Sequence, residues 1–260
     1  MDAFKEYLIS NYPNVFISED PFATILIWSN QSEMPKITGV SLVEQEGFVS
    51  SKGVNGQLLI NLLRNAITPT PFLHIVYPRD MTYIYINDRK YTLDSGAKLI
   101  ATTFRVQLGF DPAKTPNDPT QIRDAFHIWS RNAFDGIKVK KTDIDAIILN
   151  TQLTRFCSIL EVKRSAKIKV GSWHPYAADL NNYLLCMSFS NILNVDYFTV
   201  HHEILEGNTI NPDNYVDVFT YHYGSSPNPS KDSFDELYRS GKLLTVRNAI
   251  KELTGRCNQD

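Results

Sequence analysis

Residues 142–149 read TDIDAIIL, and residues 156–163 read FCSILEVK. Both are short runs rich in apolar residues, which predicts two β-strands joined by a turn. Successive side chains of a strand point to opposite faces, so Glu161 and Lys163 share one face, and Asp143 and Asp145 likewise share a face. If the two strands pair as a hairpin, Asp145, Glu161 and Lys163 converge on one point.

This convergence has a chemical meaning. Two carboxylates with an open side suit Mg²⁺, a hard ion that keeps several waters which the phosphate of a substrate can replace. A lysine beside them can stabilise negative charge or help to deprotonate a metal-bound water. The three residues therefore predict a Mg²⁺-dependent phosphodiesterase, and the alternative is an exposed strand face that carries a weak ion pair.

An Asp followed by Glu-x-Lys across a hairpin, with a helix next, resembles the PD-(D/E)xK nuclease superfamily. The matching segments are Asp143-Ile144-Asp145-Ala146-Ile147 and Leu160-Glu161-Val162-Lys163-Arg164-Ser165, and Ile144 stands where the family often has proline. The resemblance covers roughly residues 117–205. It implies an α/β fold with an αβββαβ core, in which helices flank a mixed sheet.

The resemblance also implies roles for single residues. Asp145 and Glu161 would bind one or two Mg²⁺, with the Val162 carbonyl as a further ligand, while Lys163 orients or deprotonates the attacking water. Asp143 competes with Asp145 for the metal role, and Asp145 matches the family position better.

Three more residues are candidates near the metal. Asp124 lies on the helix that precedes the core strands, and a solvated helical acid is its alternative. Asp179 and Tyr183 lie one turn apart and partly match a Gln-x-x-x-Tyr element of some members, with Asp179 in place of Gln. A solvated Asp179 and a packed Tyr183 are the alternative.

Basic residues cluster around the predicted hairpin. The residues expected to contact phosphates are Lys138, Lys140, Arg164, Lys167 and Lys169. Phosphate contacts would explain their position next to Glu161, and a solvated charged face would be the alternative for any one of them.

Composition limits the classes of protein that remain. The 260 residues are 43% hydrophobic and 21% charged with a net charge of -2, which is typical of a globular protein and not of a general nucleic-acid binder. Three cysteines without metal spacing fit structural thiols in a reducing cytoplasm. No signal peptide, membrane span or P-loop is evident, so a cytoplasmic protein that needs no ATP and contacts no membrane is expected.

The chain is predicted to divide at a proline-containing linker near residues 110–117. Residues 1–110 are expected to form a β-rich α+β region for substrate recognition, and residues 117–260 the nuclease domain. Within that domain a helix begins near Asp118, residues 137–141 and 142–150 form the first two core strands, and helices cover 175–190, 232–239 and 243–253. Residues 196–204 form the closing strand.

The resulting hypothesis is a Mg²⁺-dependent endonuclease that cuts DNA, most like a Type II restriction endonuclease. A homodimer with two-fold symmetry would match a symmetric DNA site. A structure-specific repair nuclease, an RNA-cleaving nuclease and a non-catalytic nucleic-acid-binding module on the same fold are the alternatives. His201 and His202 alternate faces of a strand, so both cannot reach one ion.

Overall fold

The computed structural model describes residues 2–18, 23–30, 36–48, 53–109, 125–136, 138–204, 209–221, 234–238 and 241–255. Within these ranges the helices are α1 (Ala3–Asn11), α2 (Gly56–Ala66), α3 (Leu93–Phe104), α4 (Ala125–Ala133), α5 (Leu180–Leu193) and α6 (Val246–Leu253). The strands are β1 (Val15–Ile17), β2 (Ala23–Asn30), β3 (Lys36–Gln45), β4 (Phe72–Tyr77), β5 (Ile84–Ile86), β6 (Arg89–Tyr91), β7 (Val139–Ile144), β8 (Ala146–Leu149), β9 (Phe156–Ser165), β10 (Asp196–Glu203), β11 (Tyr215–Thr220) and β12 (Lys242–Thr245). The chain is therefore an α/β protein with two mixed sheets.

The chain forms two compact units that do not follow the predicted division near residues 110–117. Unit 1 contains Met1–Ile17, Ser50–Leu62 and Ile144–Asp260, and unit 2 contains Ser18–Val49 and Leu63–Asp143. The N-terminal segment joins unit 1 because β1 pairs with β8, from Val15 opposite Ile148 to Ile17 opposite Ala146.

Unit 1 is built on a sheet with the strand order β1-β8-β9-β10-β11-β12. β8 and β9 form the predicted antiparallel hairpin, and β10 returns through α5 to lie parallel to β9. All four residues of β8 are buried, which explains its uninterrupted apolar sequence. Phe4 and Leu8 of α1 and Val246 and Ile250 of α6 belong to the same buried core as the strands.

The prediction that residues 137–141 and 142–150 are the first two core strands is wrong in part. β7 lies next to β2 in the second sheet, whereas β8 lies in the first, and the chain passes from one to the other at Asp145. The strand on the other side of β8 is β1. β1 is distant from β8 along the chain, because residues 18–145 lie between them.

Unit 2 holds the second sheet, whose order is β6-β5-β4-β3-β2-β7. Its core is aromatic: the Trp28 ring lies 5.5 Å from Phe104 and 5.1 Å from Phe134. Residues 93–104 form α3, which Thr92 caps by accepting a hydrogen bond from the Ser95 amide.

Three further predictions need correction or fall outside the described residues. Residues 242–245 form β12 before α6 begins, so the helix predicted from Leu243 starts later. Cys186 is a free thiol, but Cys157 is disulfide-bonded and not the thiol that was predicted. Asp118 and Asp124 lie outside the described residues. Among the described helices, none has the length and apolar character needed to cross a membrane.

Candidate active site

The β8–β9 hairpin brings the predicted acidic residues to one end of the first sheet. Ala146 lies opposite Leu160 in the antiparallel register, and Asp145 precedes β8 while Glu161 follows Leu160. Continuing this register by one residue sets Asp145 across from Glu161. Asp145 and Glu161 therefore occupy facing positions at the end of the hairpin.

Both oxygens of the Asp145 carboxylate have partners. Oδ2 accepts a hydrogen bond from the Val162 backbone N–H at 2.7 Å, and Oδ1 pairs with the Lys5 ammonium. The Asp145 and Lys5 side chains are only 14% and 15% exposed. The hydrogen bond across the hairpin fixes the direction of the carboxylate, and Lys5 supplies the opposite charge.

Lys5 is a site residue that sequence reasoning missed. It lies on α1, 140 positions before Asp145, and reaches the hairpin because β1 carries the N-terminal segment to the edge of β8. Asp2 starts this helix by accepting hydrogen bonds from the Phe4 and Lys5 amides. The only sequence signal was this capping acid, which predicts a helix but gives no indication of its tertiary partner.

Glu161 and Lys163 contact each other on the face that they share. Lys163 Nζ lies 2.8 Å from Glu161 Oε1 and 3.6 Å from Asp179 Oδ2. Burial lowers the pKa of Lys163, but the charge and hydrogen bond of Glu161, with Tyr183 and Asp179, outweigh burial and hold this pKa above its usual value. Lys163 is therefore a firmly held cation at neutral pH.

Asp179 and Tyr183 lie at the start of α5, as their one-turn spacing predicts. Asp179 contacts Lys163, and the buried Tyr183 ring stacks on Tyr221 with ring centres 5.1 Å apart. Burial raises the pKa of Tyr183 to about 12, the charge of Lys163 opposes this shift, and Asp179 adds to it. Tyr183 is consequently a neutral phenol at neutral pH and cannot act as a base.

The other predicted site residues are divided between the two units. Asp143 lies in β7 and is exposed, and Lys138 and Lys140 belong with it to unit 2. Arg164, Lys167 and Lys169 belong to unit 1, at the end of β9 and in the loop after it, and all three are exposed. The basic residues therefore divide between the two units.

The loop after β9 is held by a buried polar network that sequence reasoning missed. His201 Nδ1 lies 3.0 Å from Asp217 Oδ2, and His201 Nε2 lies 2.9 Å from Ser165 Oγ. Asp217 Oδ1 also accepts a hydrogen bond from the Gly171 amide at 2.7 Å. The ring of Trp173 stacks on His201 with centres 4.9 Å apart.

The contacts run from Ser165 to His201 and from His201 to Asp217, as in a hydrolase triad. The other hydrogen bond of Ser165 indicates a different role. Ser165 Oγ lies 2.6 Å from the Ile168 carbonyl oxygen. Because a carbonyl only accepts, the single hydroxyl hydrogen of Ser165 is donated to Ile168. The hydroxyl is thus committed to closing the loop and is not presented to His201 as a nucleophile.

The donors around the hairpin are suited to a hard divalent cation. Mg²⁺ is usually bound by one or two carboxylates together with waters, and Asp145, Glu161 and the Val162 carbonyl are oxygen donors of this kind. In the part of the chain that the structure describes, no group of three or more His, Cys, Asp or Glu side chains is arranged to hold a metal ion. Among the described residues, the donors available to such an ion are the two carboxylates and the peptide oxygen, with water.

Comparison with known proteins found no relative: no family model, no curated protein and no solved structure matches the chain.

Proposed function

We propose that this protein is a Mg²⁺-dependent endonuclease that hydrolyses DNA phosphodiester bonds. The observation that carries the proposal is the meeting of two carboxylates and a cation on one hairpin: Asp145 bonded to the Val162 amide, and Glu161 paired with Lys163. Acidic groups that hold a metal beside a fixed ammonium are suited to a reaction in which negative charge builds on phosphate oxygens.

The order of elements in unit 1 supports the same proposal. Six elements of unit 1 occur in the order αβββαβ, namely α1, β1, β8, β9, α5 and β10, with β1–β8 and β8–β9 antiparallel and β9–β10 parallel. Most of α2 also belongs to unit 1 and comes between β1 and β8 in the chain, as an addition to this order. This is the order that the resemblance to the PD-(D/E)xK nucleases implies. The residues of unit 2 come from between β1 and β8, so they leave this order intact.

Each residue of the hairpin has a role in the proposed reaction. Asp145, Glu161 and the Val162 carbonyl would hold the metal, which when bound would supply an activated water and stabilise charge on the phosphate. Lys163, which pairs with Glu161, would orient or deprotonate the attacking water.

Lys5 would compete with a metal ion for Asp145. Its ammonium pairs with Asp145 Oδ1, so this oxygen becomes available to a divalent cation only when Lys5 releases it. A Type II restriction endonuclease is the specific form that we propose, with unit 2 as the region that reads the substrate.

The test is cleavage of plasmid and genomic DNA in Mg²⁺ and in EDTA, with wild type, Glu161→Gln and Glu252→Gln. Glu252 is the matched control, because it is also a lysine-paired glutamate of unit 1 but lies on α6. Discrete fragments from wild type and the control, and none from Glu161→Gln, are expected. Cleavage by Glu161→Gln at the wild-type rate, or no cleavage by wild type, would reject the proposal. A smear in place of fragments would retain the nuclease but reject sequence-specific cutting.

A further inference from the structure

Residues 164–178, here called the connecting segment, join β9 to α5 and have both of their ends at Lys163. Arg164 follows Lys163 in the chain, and at the other end Asp179 Oδ2 lies 3.6 Å from Lys163 Nζ. Compact segments whose two ends lie close together frequently carry function. The connecting segment is therefore held next to the proposed nuclease site, within unit 1.

Side chains of β10 and β11 hold the middle of the connecting segment. The Val170 amide donates a hydrogen bond to Glu203 Oε1 at 2.8 Å, and the Gly171 amide donates one to Asp217 Oδ1 at 2.7 Å. Asp217 is buried, and its Oδ2 lies 3.0 Å from His201 Nδ1. Because two strands of the sheet supply these partners, the backbone of the segment is already ordered before any ligand binds.

The connecting segment carries only positive charge. Its charged residues are Arg164, Lys167 and Lys169, and it contains no Asp or Glu. All three side chains are exposed, and within the described parts of the chain none of them forms an ion pair or a side-chain hydrogen bond. Because the whole chain has a net charge of -2, this is a local excess of positive charge, which attracts the phosphates of a nucleic-acid strand.

The same segment exposes an aromatic ring on a rigid support. Tyr176 is 47% exposed, and its ring centre lies 5.8 Å from that of Trp173 in an edge-to-face contact. Trp173 is only 3% exposed and stacks on His201 with ring centres 4.9 Å apart. The Tyr176 carbonyl accepts a hydrogen bond from the amide of Asp179, the residue that contacts Lys163. An exposed ring that is held in this way can stack on a nucleobase without first being ordered.

We propose that the connecting segment binds an unpaired stretch of a DNA strand, with Lys167 and Lys169 on phosphates and the ring of Tyr176 on a base. Cations that follow the backbone and aromatic rings that stack on bases are the two elements of single-strand binding. A base inside a duplex is covered by its neighbours on both sides, so Tyr176 selects an unpaired base. The inference rests on the proposed function for the class of ligand and adds that the strand is unpaired beside the hairpin.

The test is fluorescence anisotropy of the full chain in EDTA with a labelled DNA oligonucleotide, as a single strand and as a blunt duplex. The variants are Tyr176→Ala and the combined Lys167→Gln and Lys169→Gln, which change only exposed side chains. Tyr215→Ala and Lys251→Gln are the matched controls, because both are exposed residues of unit 1 that lie elsewhere, on β11 and α6. Thermal melting of each variant checks that it folds.

Tyr176→Ala should bind the single strand about 5-fold to 100-fold more weakly than wild type, as expected for the loss of one stacked base, and should bind the duplex as wild type does. The combined lysine variant should show a weaker salt dependence, with the slope of log K against log salt reduced by about 0.7 for each lost phosphate contact. Both controls should match wild type.

Three results would overturn the inference: no binding of the single strand by wild type, equal single-strand affinity of wild type and Tyr176→Ala, or an equal loss for single strand and duplex. Cleavage in Mg²⁺ is measured separately. Cleavage by wild type without any effect of Tyr176→Ala on single-strand binding would reject this inference alone. Single-strand binding that depends on Tyr176, without cleavage in Mg²⁺, would support it and reject the proposed nuclease.

Discussion

Replacement of Lys5 by methionine should destabilise unit 1 when Mg²⁺ is absent. Methionine keeps much of the apolar stem of lysine but removes its charge, so Asp145 loses its cation while it stays largely buried. Removal of one partner of a buried ion pair costs about 3–5 kcal/mol. Asp145 retains the hydrogen bond from Val162, so a loss near the lower end, about 3 kcal/mol, is expected.

The measurement is thermal and urea unfolding in EDTA, followed by the same measurement in Mg²⁺. A loss of about 3 kcal/mol corresponds to a fall of roughly 6–12 °C in melting temperature for a chain of this size. In the variant a divalent cation no longer has to displace Lys5 from Asp145. Mg²⁺ at about 100 times its Kd should therefore restore about 2.7 kcal/mol, and it should stabilise wild type less.

Lys242→Met is the matched control for this experiment. Lys242 also pairs with a carboxylate of unit 1, Glu252, but the two side chains are 57% and 36% exposed. Loss of such a surface pair costs about 0–1 kcal/mol and should not depend on Mg²⁺. If Lys5→Met is as stable as this control in EDTA, the Lys5–Asp145 pair does not compensate a buried charge. If Mg²⁺ stabilises wild type and Lys5→Met equally, Lys5 and the cation do not compete.

Two further substitutions test the structure away from the hairpin. Burial raises the pKa of Asp2, but the hydrogen bond and charge of His202, with the Lys5 and Phe4 amides, lower it below 3.8 overall. The stabilising contribution of Asp2 is thus present above pH 3.8 and is lost as pH falls through the lowered pKa. Asp2→Asn, which keeps a helix cap, should lower the urea midpoint at neutral pH and match wild type in acid; an equal difference at every pH would contradict this. In unit 2, a Cβ at Gly39 would lie 2.0 Å from Phe104 Cδ1, so Gly39→Ala should cost about 1–3 kcal/mol. Gly255→Ala, with no atom within 4 Å of its Cβ, is the control, and equal melting temperatures for the two variants would refute the clash.

The hairpin could be predicted from sequence because its signals are local. Alternation fixes which side chains share a face, and the contact of Lys163 with Glu161 follows from their spacing of two. Alternation also predicted that His201 and His202 point to opposite faces of their strand. In the structure His201 contacts Asp217 and His202 contacts Asp2. These predictions needed only the geometry of a single strand.

The remaining parts depend on pairing between distant segments. No turn residue separates β7 from β8, so nothing local indicated that the chain enters a different sheet at Asp145. Lys5 lies too far along the chain for its pairing with Asp145 to be inferred from spacing. The start of α6 was misplaced for a related reason: Leu243 and Leu244 fit a helical pattern, but their pairing with Asp217 and Val216 makes them part of β12.

The position of α1 explains how unit 2 can occur between β1 and β8 without disturbing the hairpin. Asp2, at the start of the helix, contacts His202 on β10, and Lys5 in the first turn pairs with Asp145, which precedes β8. The entropic cost of closing a long loop grows only by about 0.6 kcal/mol for each doubling of its length. The buried side chains of β1, together with these two polar contacts, therefore suffice to return a distant segment to the sheet. We therefore expect that residues in between can change without displacing the strands that carry the proposed reaction.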